Sequence, residues 1–334
     1  SARNILLNPT VDAAVFETAR GGLLREGLAF DHADVAVVTN IGVGDHLGLN
    51  FITTVDDLAV LKRVIVRNVA KNGYAVLNAA DPIVAVMATQ CPGKVIFFAA
   101  DPEHPVITSH KTQGGRVVYV HNGDVVAMEG AFETRLPLAG VPLTRNGTIG
   151  FQVENVMASV AAAWGLGLSW NAIRQGLASF QSDTGNAPGR FNVMDYQGAT
   201  LIADYGHNPD AMQALVAAIE NMPARRRKVV ISGAGDRRDD DIRAQTRILG
   251  AAFDEVILYQ DACQRGREDG EVVQLLREGL QDAPRTQVVE TIQGEFAAID
   301  HALASLQPGE LCLVLIDQVE ESLAYLQQRV AAAR

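Results

Sequence analysis

The sequence predicts an α/β protein of two domains, each built on a largely parallel sheet. Short β-branched runs alternate with helical patterns of ten or more residues, which is how parallel strands joined by crossover helices read. The chain has 334 residues, 48% of them hydrophobic, enough for two ordinary cores and too much for one. Between the halves, Ser182–Gly189 (SDTGNAPG) is rich in turn formers and poor in core residues, as a linker would be. The expected domains are 1–187 and 188–334.

In the first domain, strands are expected at Ala13–Phe16, Val35–Thr39, Ala75–Leu77 and Val95–Phe98. Val55–Ala70 has helical spacing, with Asp56 and Asp57 in its first turn. Residues 105–145 read as a small antiparallel insertion. Its strands would be Val106–Ser109, Arg116–His121 and Asp124–Glu129, joined by Gly114-Gly115 and Asn122-Gly123. The second junction is a strong two-residue hairpin signal. Helices follow from about Glu154 to Trp164 and over Trp170–Phe180.

In the second domain the expected strands are Leu201–Ala203, Lys228–Ser232, Glu255–Tyr259, Gln287–Val289 and Leu311–Ile316. Helices fall around Pro209–Asn221, Asp239–Phe253, Gly270–Gln281, Gly294–Leu306 and Val319–Arg334. No internal repeat or low-complexity tract interrupts them.

Composition narrows the function classes. A net charge of −11 argues against a nucleic-acid binder, which would show a basic face, and weakly favours a cationic small substrate. No apolar run is long enough to span a bilayer, the longest candidate being Val156–Trp170. No signal peptide is visible, and the initial Ser1 is that of a processed chain or a fragment. Cys91, Cys263 and Cys312 lie far apart without metal-ligand spacing, so a reducing cytoplasm is expected.

Polar clusters recur where strands end, and ligands of open parallel sheets bind outside those carboxyl ends. Two sheets that both point chemistry this way suggest a cleft between the domains. Glu17, followed by Thr-Ala-Arg-Gly-Gly, could hold Mg²⁺ through oxygen or water, or serve as a helix-terminal carboxylate or salt-bridge partner. Asp45-His46 could add a second metal contact or be a structural pair. Lys62 reads, on spacing alone, as a solvated helix lysine. Asn155 could cap the Ala-rich helix, and Arg190 could reach a ligand or lie on the surface. In Asp204-Tyr-Gly-His207-Asn-Pro, Asn208 is a good N-cap with Pro209 at the first helical position. That arrangement leaves Asp204 and His207 in front of the sheet. Gly233-Ala-Gly-Asp236 lacks the third glycine of a dinucleotide fingerprint, which disfavours a Rossmann dehydrogenase.

Taken in order, Glu17-Thr-Ala-Arg-Gly-Gly, Thr39-Asn-Ile, Asp45-His-Leu-Gly, Leu77-Asn-Ala, Gly150-Phe-Gln-Val-Glu-Asn, Pro188-Gly-Arg-Phe and Asp204-Tyr-Gly-His-Asn-Pro resemble the Mur ligase superfamily. Within it, ETARGGLLREGL (17–28), GFQVEN (150–155), PGRFNV (188–193) and GDRRDDDIR (235–243) are similar to the cyanophycin synthetase family. The resemblance spans essentially the whole chain. It implies a Mur ligase-like central, ATPase-type domain followed by a Rossmann-like C-terminal domain. It also implies an ATP- and Mg²⁺-dependent C–N ligase that adds arginine to aspartate side chains of a poly-aspartate primer through an acyl phosphate.

Carried over by position, Glu17 and His46 would be Mg²⁺ ligands, and Lys62 would match a lysine that some relatives carry as a carbamate. Asn78, Asn155 and Arg190 would meet the nucleotide and Asp204 its ribose. His207 and the loop Asp236-Arg237-Arg238 would border the amino-acid side. The family further implies a cytoplasmic bacterial homo-oligomer.

Two departures stand out. Ala80 occupies a position that is often acidic in relatives, beside Asp81. The chain also holds no Gly-rich loop ending in Gly-Lys-Ser/Thr, since Gly93-Lys94 runs into Val95 and position 88 is Ala. In the family that loop would precede the first strand expected here, as would the N-terminal and ATP-grasp domains. The chain alone is therefore expected to be inactive as a ligase. A Mur-like scaffold subunit without activity, and a ligase of poly-glutamate or folylpolyglutamate type, are the alternatives.

Overall fold

A computed structural model of the chain describes residues 2–42, 51–261 and 265–333. Its contacts divide into two compact units, one made chiefly of residues up to Ser179 and the other of Phe180–Arg334.

The first unit opens with two short helices, α1 (Ala2–Leu6) and α2 (Arg20–Glu26), and then runs into β1 (Ala33–Val38). Next come α3 (Val55–Lys62), α4 (Val64–Arg67), β2 (Val69–Asn78), α5 (Pro82–Ala85), β3 (Lys94–Ala99) and α6 (Pro105–Thr112). The unit closes with β4 (Arg116–His121), β5 (Asp124–Glu129), β6 (Phe132–Pro137), α7 (Gly150–Gly165) and α8 (Trp170–Ser179). The sheet order is β1-β2-β3-β4-β5-β6, parallel through β4 and antiparallel beyond it.

Strands of such a sheet are covered on both faces, so their sequences are apolar throughout rather than alternating. Leu77 and Phe97 pack on the α3–α6 side with Leu58, Val66, Met87 and Ile107. Their neighbours Val76, Ile96 and Phe98 pack on the other side, against Val153, Met157, Val160 and Trp164 of α7. The start of α3 is fixed by a capping box: the Thr54 hydroxyl accepts from Asp57 N–H (3.1 Å) and the Asp57 carboxylate accepts from Thr54 N–H (3.0 Å).

Several expectations are corrected here. Ala13–Phe16 forms no strand; the segment is irregular and largely exposed. An apolar run reads as a buried strand, but a strand forms only where a neighbouring ladder takes its N–H and C=O groups. Val106–Ser109 is helical, inside α6, where Pro105 sits in the first turn and the His104 ring accepts from Val106 N–H. Four apolar residues do not distinguish the two states. Residues 105–145 are no insertion, because β4 pairs with β3 and carries the same sheet onward. The long helix expected over Val55–Ala70 breaks at Arg63, and β2 already begins at Val69. Asn155 lies inside α7 and caps nothing. The Asn122-Gly123 hairpin forms as expected, with both residues at positive φ (51° and 82°).

The second unit runs β7 (Asn192–Tyr196), β8 (Ala199–Asp204), α9 (Pro209–Glu220), β9 (Arg227–Ile231), α10 (Asp239–Gly250) and β10 (Glu255–Gln260). It continues with α11 (Glu271–Gly279), β11 (Val288–Gln293), α12 (Glu295–Ala304), β12 (Leu311–Leu315) and α13 (Val319–Ala332). The sheet order is β11-β10-β9-β12-β8-β7. All pairings are parallel except that of β7 with β8. The crossover from β8 to β9 passes over the position that β12, the last strand, fills, and ligands of such sheets bind outside the carboxyl ends of the strands. The strand β7 was not expected; it is a short edge strand joined to β8 through Gln197-Gly198, both at positive φ.

No helix among the described residues is long and apolar enough to cross a membrane.

Candidate functional site

In the second unit, the carboxyl ends of β8, β9, β10 and β12 bring charged residues into one network. Asp204 ends β8 and is 8% exposed. Its Oδ2 accepts from Phe191 N–H (2.8 Å) and its Oδ1 from Gly206 N–H (2.6 Å). Burial pushes this carboxyl up to about 6, against the lowering pull of those two N–H groups and of Arg190. A ribose contact was expected of Asp204; in the fold its oxygens face inward, onto backbone.

Beyond β8, Asn208 caps α9 by accepting from Ala211 N–H (2.8 Å), and that cap directs the loop holding His207. The His207 Nδ1 stands 2.7 Å from the Tyr205 carbonyl. A carbonyl only accepts, so Nδ1 carries the proton and Nε2 keeps its lone pair. Burial holds the imidazole pKa below its ordinary value, assisted by the charges of Arg265 and Arg237. His207 is therefore neutral at pH 7. Its Nε2 faces Asp317 Oδ1 at 3.7 Å, beyond hydrogen-bond reach. The pair can take a proton from a group placed between them, such as an incoming amine.

Asp317 follows β12. Burial raises its pKa, and the neighbouring Asp261 raises it further, while Arg265 opposes both. Arg265 bridges two strand ends, with Nη1 3.3 Å from Asp236 and Nη2 3.3 Å from Asp317. Arg267 fastens the loop after β9: it donates to the carbonyls of Gly235 (2.7 Å) and Arg237 (2.7 Å) and to Asp239 (2.8 Å). Arg238 turns aside, pairing as a fork with Asp241 of α10 at 2.8 Å. The buried Glu295 secures the loop after β12 by accepting from Asp317 N–H (3.1 Å) and the Ser322 hydroxyl (2.5 Å).

Sequence reasoning missed Asn192, Arg265, Arg267 and Glu295. Asn192 is 1% exposed. It ties Gly189 N–H (2.7 Å) and the Ala187 carbonyl (2.8 Å) into the loop that carries Arg190. The Pro-Gly-Arg-Phe-Asn run could have pointed to it, as a turn followed by a residue able to bond its own backbone. The two arginines lie in a loop with no motif, and only the fold shows what they hold.

In the first unit the expected residues are less connected. Asn78 ends β2, is buried, and accepts from Ala80 N–H (2.9 Å). Asp81 caps α5 through Oδ1 and accepts from Ile41 N–H through Oδ2 (2.8 Å), which ties the end of β1 to that of β2. Lys62 is the last residue of α3 and half-buried. Glu17 is exposed in the irregular stretch before α2, and Asn155 is exposed on α7, donating to Gln152 (3.0 Å). Asp45 and His46 lie outside the described residues. Among the described residues, no group of three or more His, Cys, Asp and Glu is placed to hold a metal ion. The exposed carboxylate of Glu17 still suits Mg²⁺, which keeps most of its waters and takes one or two carboxylates beside substrate phosphates.

Two family profiles match this architecture. The Mur ligase middle domain matches residues 4–163, and the Mur ligase glutamate ligase domain matches residues 189–315. The chain belongs to the Mur ligase family. It is similar to the cyanophycin synthetase of Crocosphaera subtropica, 37% identical over 330 residues, covering 98% of this chain and 38% of that relative. The cyanophycin synthetase of Synechocystis sp. is 38% identical over 330 residues, with 98% of this chain and 38% of the relative covered. The chain thus spans well under half the length of these curated relatives. Among solved structures, E. coli FolC in complex with ADP superposes with a TM-score of 0.62 at 23% identity, covering 90% of this chain and 62% of that one.

Proposed function

We propose that the protein is an ATP-dependent C–N ligase that joins arginine to aspartate side-chain carboxylates of a poly-aspartate chain. The observation that carries this reading is similarity to cyanophycin synthetases over 98% of the chain, at a site that holds a neutral base beside acidic groups. On this reading the aspartate carboxylate attacks the γ-phosphorus of ATP, ADP leaves, and the amine attacks the resulting acyl phosphate and expels phosphate. Mg²⁺, held in part by Glu17, would neutralise phosphate charge during transfer.

The chain's own residues supply the rest. Asn78, Asn155 and Arg190 serve the nucleotide. The His207 lone pair, with Asp317 beside it, accepts the proton that the amine must lose. A guanidinium-bearing substrate would compete with Arg265 for Asp236 and Asp317. The phosphate loop and the aspartate-adding activity are supplied by residues other than these 334, and the enzyme works as a cytoplasmic homo-oligomer.

The test is ADP release by the protein in its native length, with each component omitted in turn. The reading predicts release only when ATP, an aspartate-ended primer and arginine are all present. Equal release with glutamate or lysine in place of arginine would overturn the arginine assignment. No release with any amine would favour a scaffold subunit.

A further inference from the structure

The loop carrying Arg190 holds a conformation that its residues do not favour. Phe191 is 3% exposed and sits at φ 51°, a left-handed backbone that a bulky residue adopts only when its surroundings fix it. Gly189 before it is also at positive φ (70°), and a Cβ there would stand 3.0 Å from Val319 Cγ1. Asn192 secures the near side of this loop, as described above. On the far side the buried carboxylate of Asp204 takes the Phe191 N–H on one oxygen and the Gly206 N–H on the other. The Tyr205 N–H donates back to the Gly189 carbonyl (2.9 Å), and the Ile316 N–H to the Asp204 carbonyl (2.9 Å). Asp204 thus joins three neighbours: the Arg190 loop, the His207 loop and the end of β12.

We propose that Asp204 is a positioning residue, whose carboxylate clamps the Arg190 loop to the His207 loop so that both side chains keep one fixed separation. This differs from a contact to the nucleotide ribose, for which a carboxylate must present free acceptors outward. What the clamp contributes to catalysis rests on the ligase reading; the clamp itself does not.

The bidentate geometry needs an ionised carboxylate, because a protonated one gives up an acceptor site to its own O–H. The clamp therefore loosens as Asp204 gains a proton, and burial brings that step up to about 6. The titratable and charged groups on the surrounding elements are Arg190 and Asp195 on the β7 side, His207 and Asp210 beyond β8, and Asp317 beyond β12. Of these, the Arg190 charge acts on Asp204 and favours the ionised form.

Amide NMR of the ¹⁵N-labelled chain from pH 4.5 to 8 tests the clamp without any ligand or turnover. The Phe191 and Gly206 amide protons are expected to move upfield together on acidification, with one shared midpoint near 6. The Ala211 amide, bonded to the non-titrating Asn208 side chain (2.8 Å), should hold its shift. In Asp204→Asn the shared titration should vanish, and at least one of the two amides should exchange about tenfold faster, since the carboxamide faces one N–H with its own donor. Should that variant not fold, the wild-type titration decides alone. Shifts at Phe191 and Gly206 that stay constant, or that titrate with separate midpoints, would overturn the proposal. So would an Asp204→Asn variant with unchanged exchange at both amides, the result expected if Asp204 acted only on a bound sugar.

Discussion

The two sheets end differently. In the first unit, a single aspartate, Asp81, ties the loop after β1 to that after β2, while Glu17 and Asn155 stand exposed. In the second unit, the ends of β8, β9, β10 and β12 are linked through Asp204, Arg265, Arg267, Asp317 and Glu295. The candidate groups of one unit stand apart from each other, and those of the other are joined by their own side chains. The difference bears on where a substitution should register. Changes in the first unit's site should cost activity and leave stability alone, whereas changes in the second unit's network should cost both.

The sharpest contrast is expected at Glu17. In the native-length enzyme, Glu17→Ala should lower kcat on the order of 10²-fold or more, the scale of losing one electrostatic contact to a reacting group. Its thermal unfolding midpoint should match wild type, because the residue is exposed and outside regular structure. A fully active variant would remove Glu17 from the metal site. At the opposite end of the second sheet, Lys228 is 2% exposed and lies 3.5 Å from Glu255, itself 5% exposed. Lys228→Met would leave that buried carboxylate with only the half-exposed Arg226 (3.1 Å). A loss of about 3 kcal/mol in urea unfolding is expected, with little effect on KM for arginine.

Arg267→Ala is the intermediate case. It leaves the Gly235 and Arg237 carbonyls without their guanidinium donor, at about 2 kcal/mol, and frees the Asp236 loop. KM for the amine should rise together with the stability loss; an unchanged KM would separate that loop from the amine. The smallest effect belongs to Thr54→Ala, which removes the α3 capping box for about 1 kcal/mol and should leave both kinetic constants within error.

The repeated β–α alternation and the polar strand ends were legible in the sequence because each rests on local pattern. Asn208-Pro209 capped α9 as its chemistry demanded. The pattern misled where the outcome depended on partners far along the chain. Ala13–Phe16 has strand composition but no ladder, and Val106–Ser109 was decided by Pro105 and the His104 cap. The edge strand β7 was hidden because Asn192 and Asp195 interrupt its apolar run and its turn is Gln-Gly rather than Asn-Gly. The same limit governs the site. Asp204 and His207 were visible as motif residues, but the inward turn of the Asp204 carboxylate follows from the conformation of Phe191. Arg265 and Arg267 gain meaning only when β9, β10 and β12 lie side by side.

In the proposed reaction a carboxylate is activated as an acyl phosphate and then captured by an amine. The most direct measurement supplies the native-length enzyme with ATP, arginine and a primer whose aspartate carboxylates carry ¹⁸O, and then examines the phosphate released. ADP is expected as the nucleotide product, with one ¹⁸O transferred into inorganic phosphate for each amide formed. Amide formation with AMP and pyrophosphate, or with phosphate free of ¹⁸O, would contradict it.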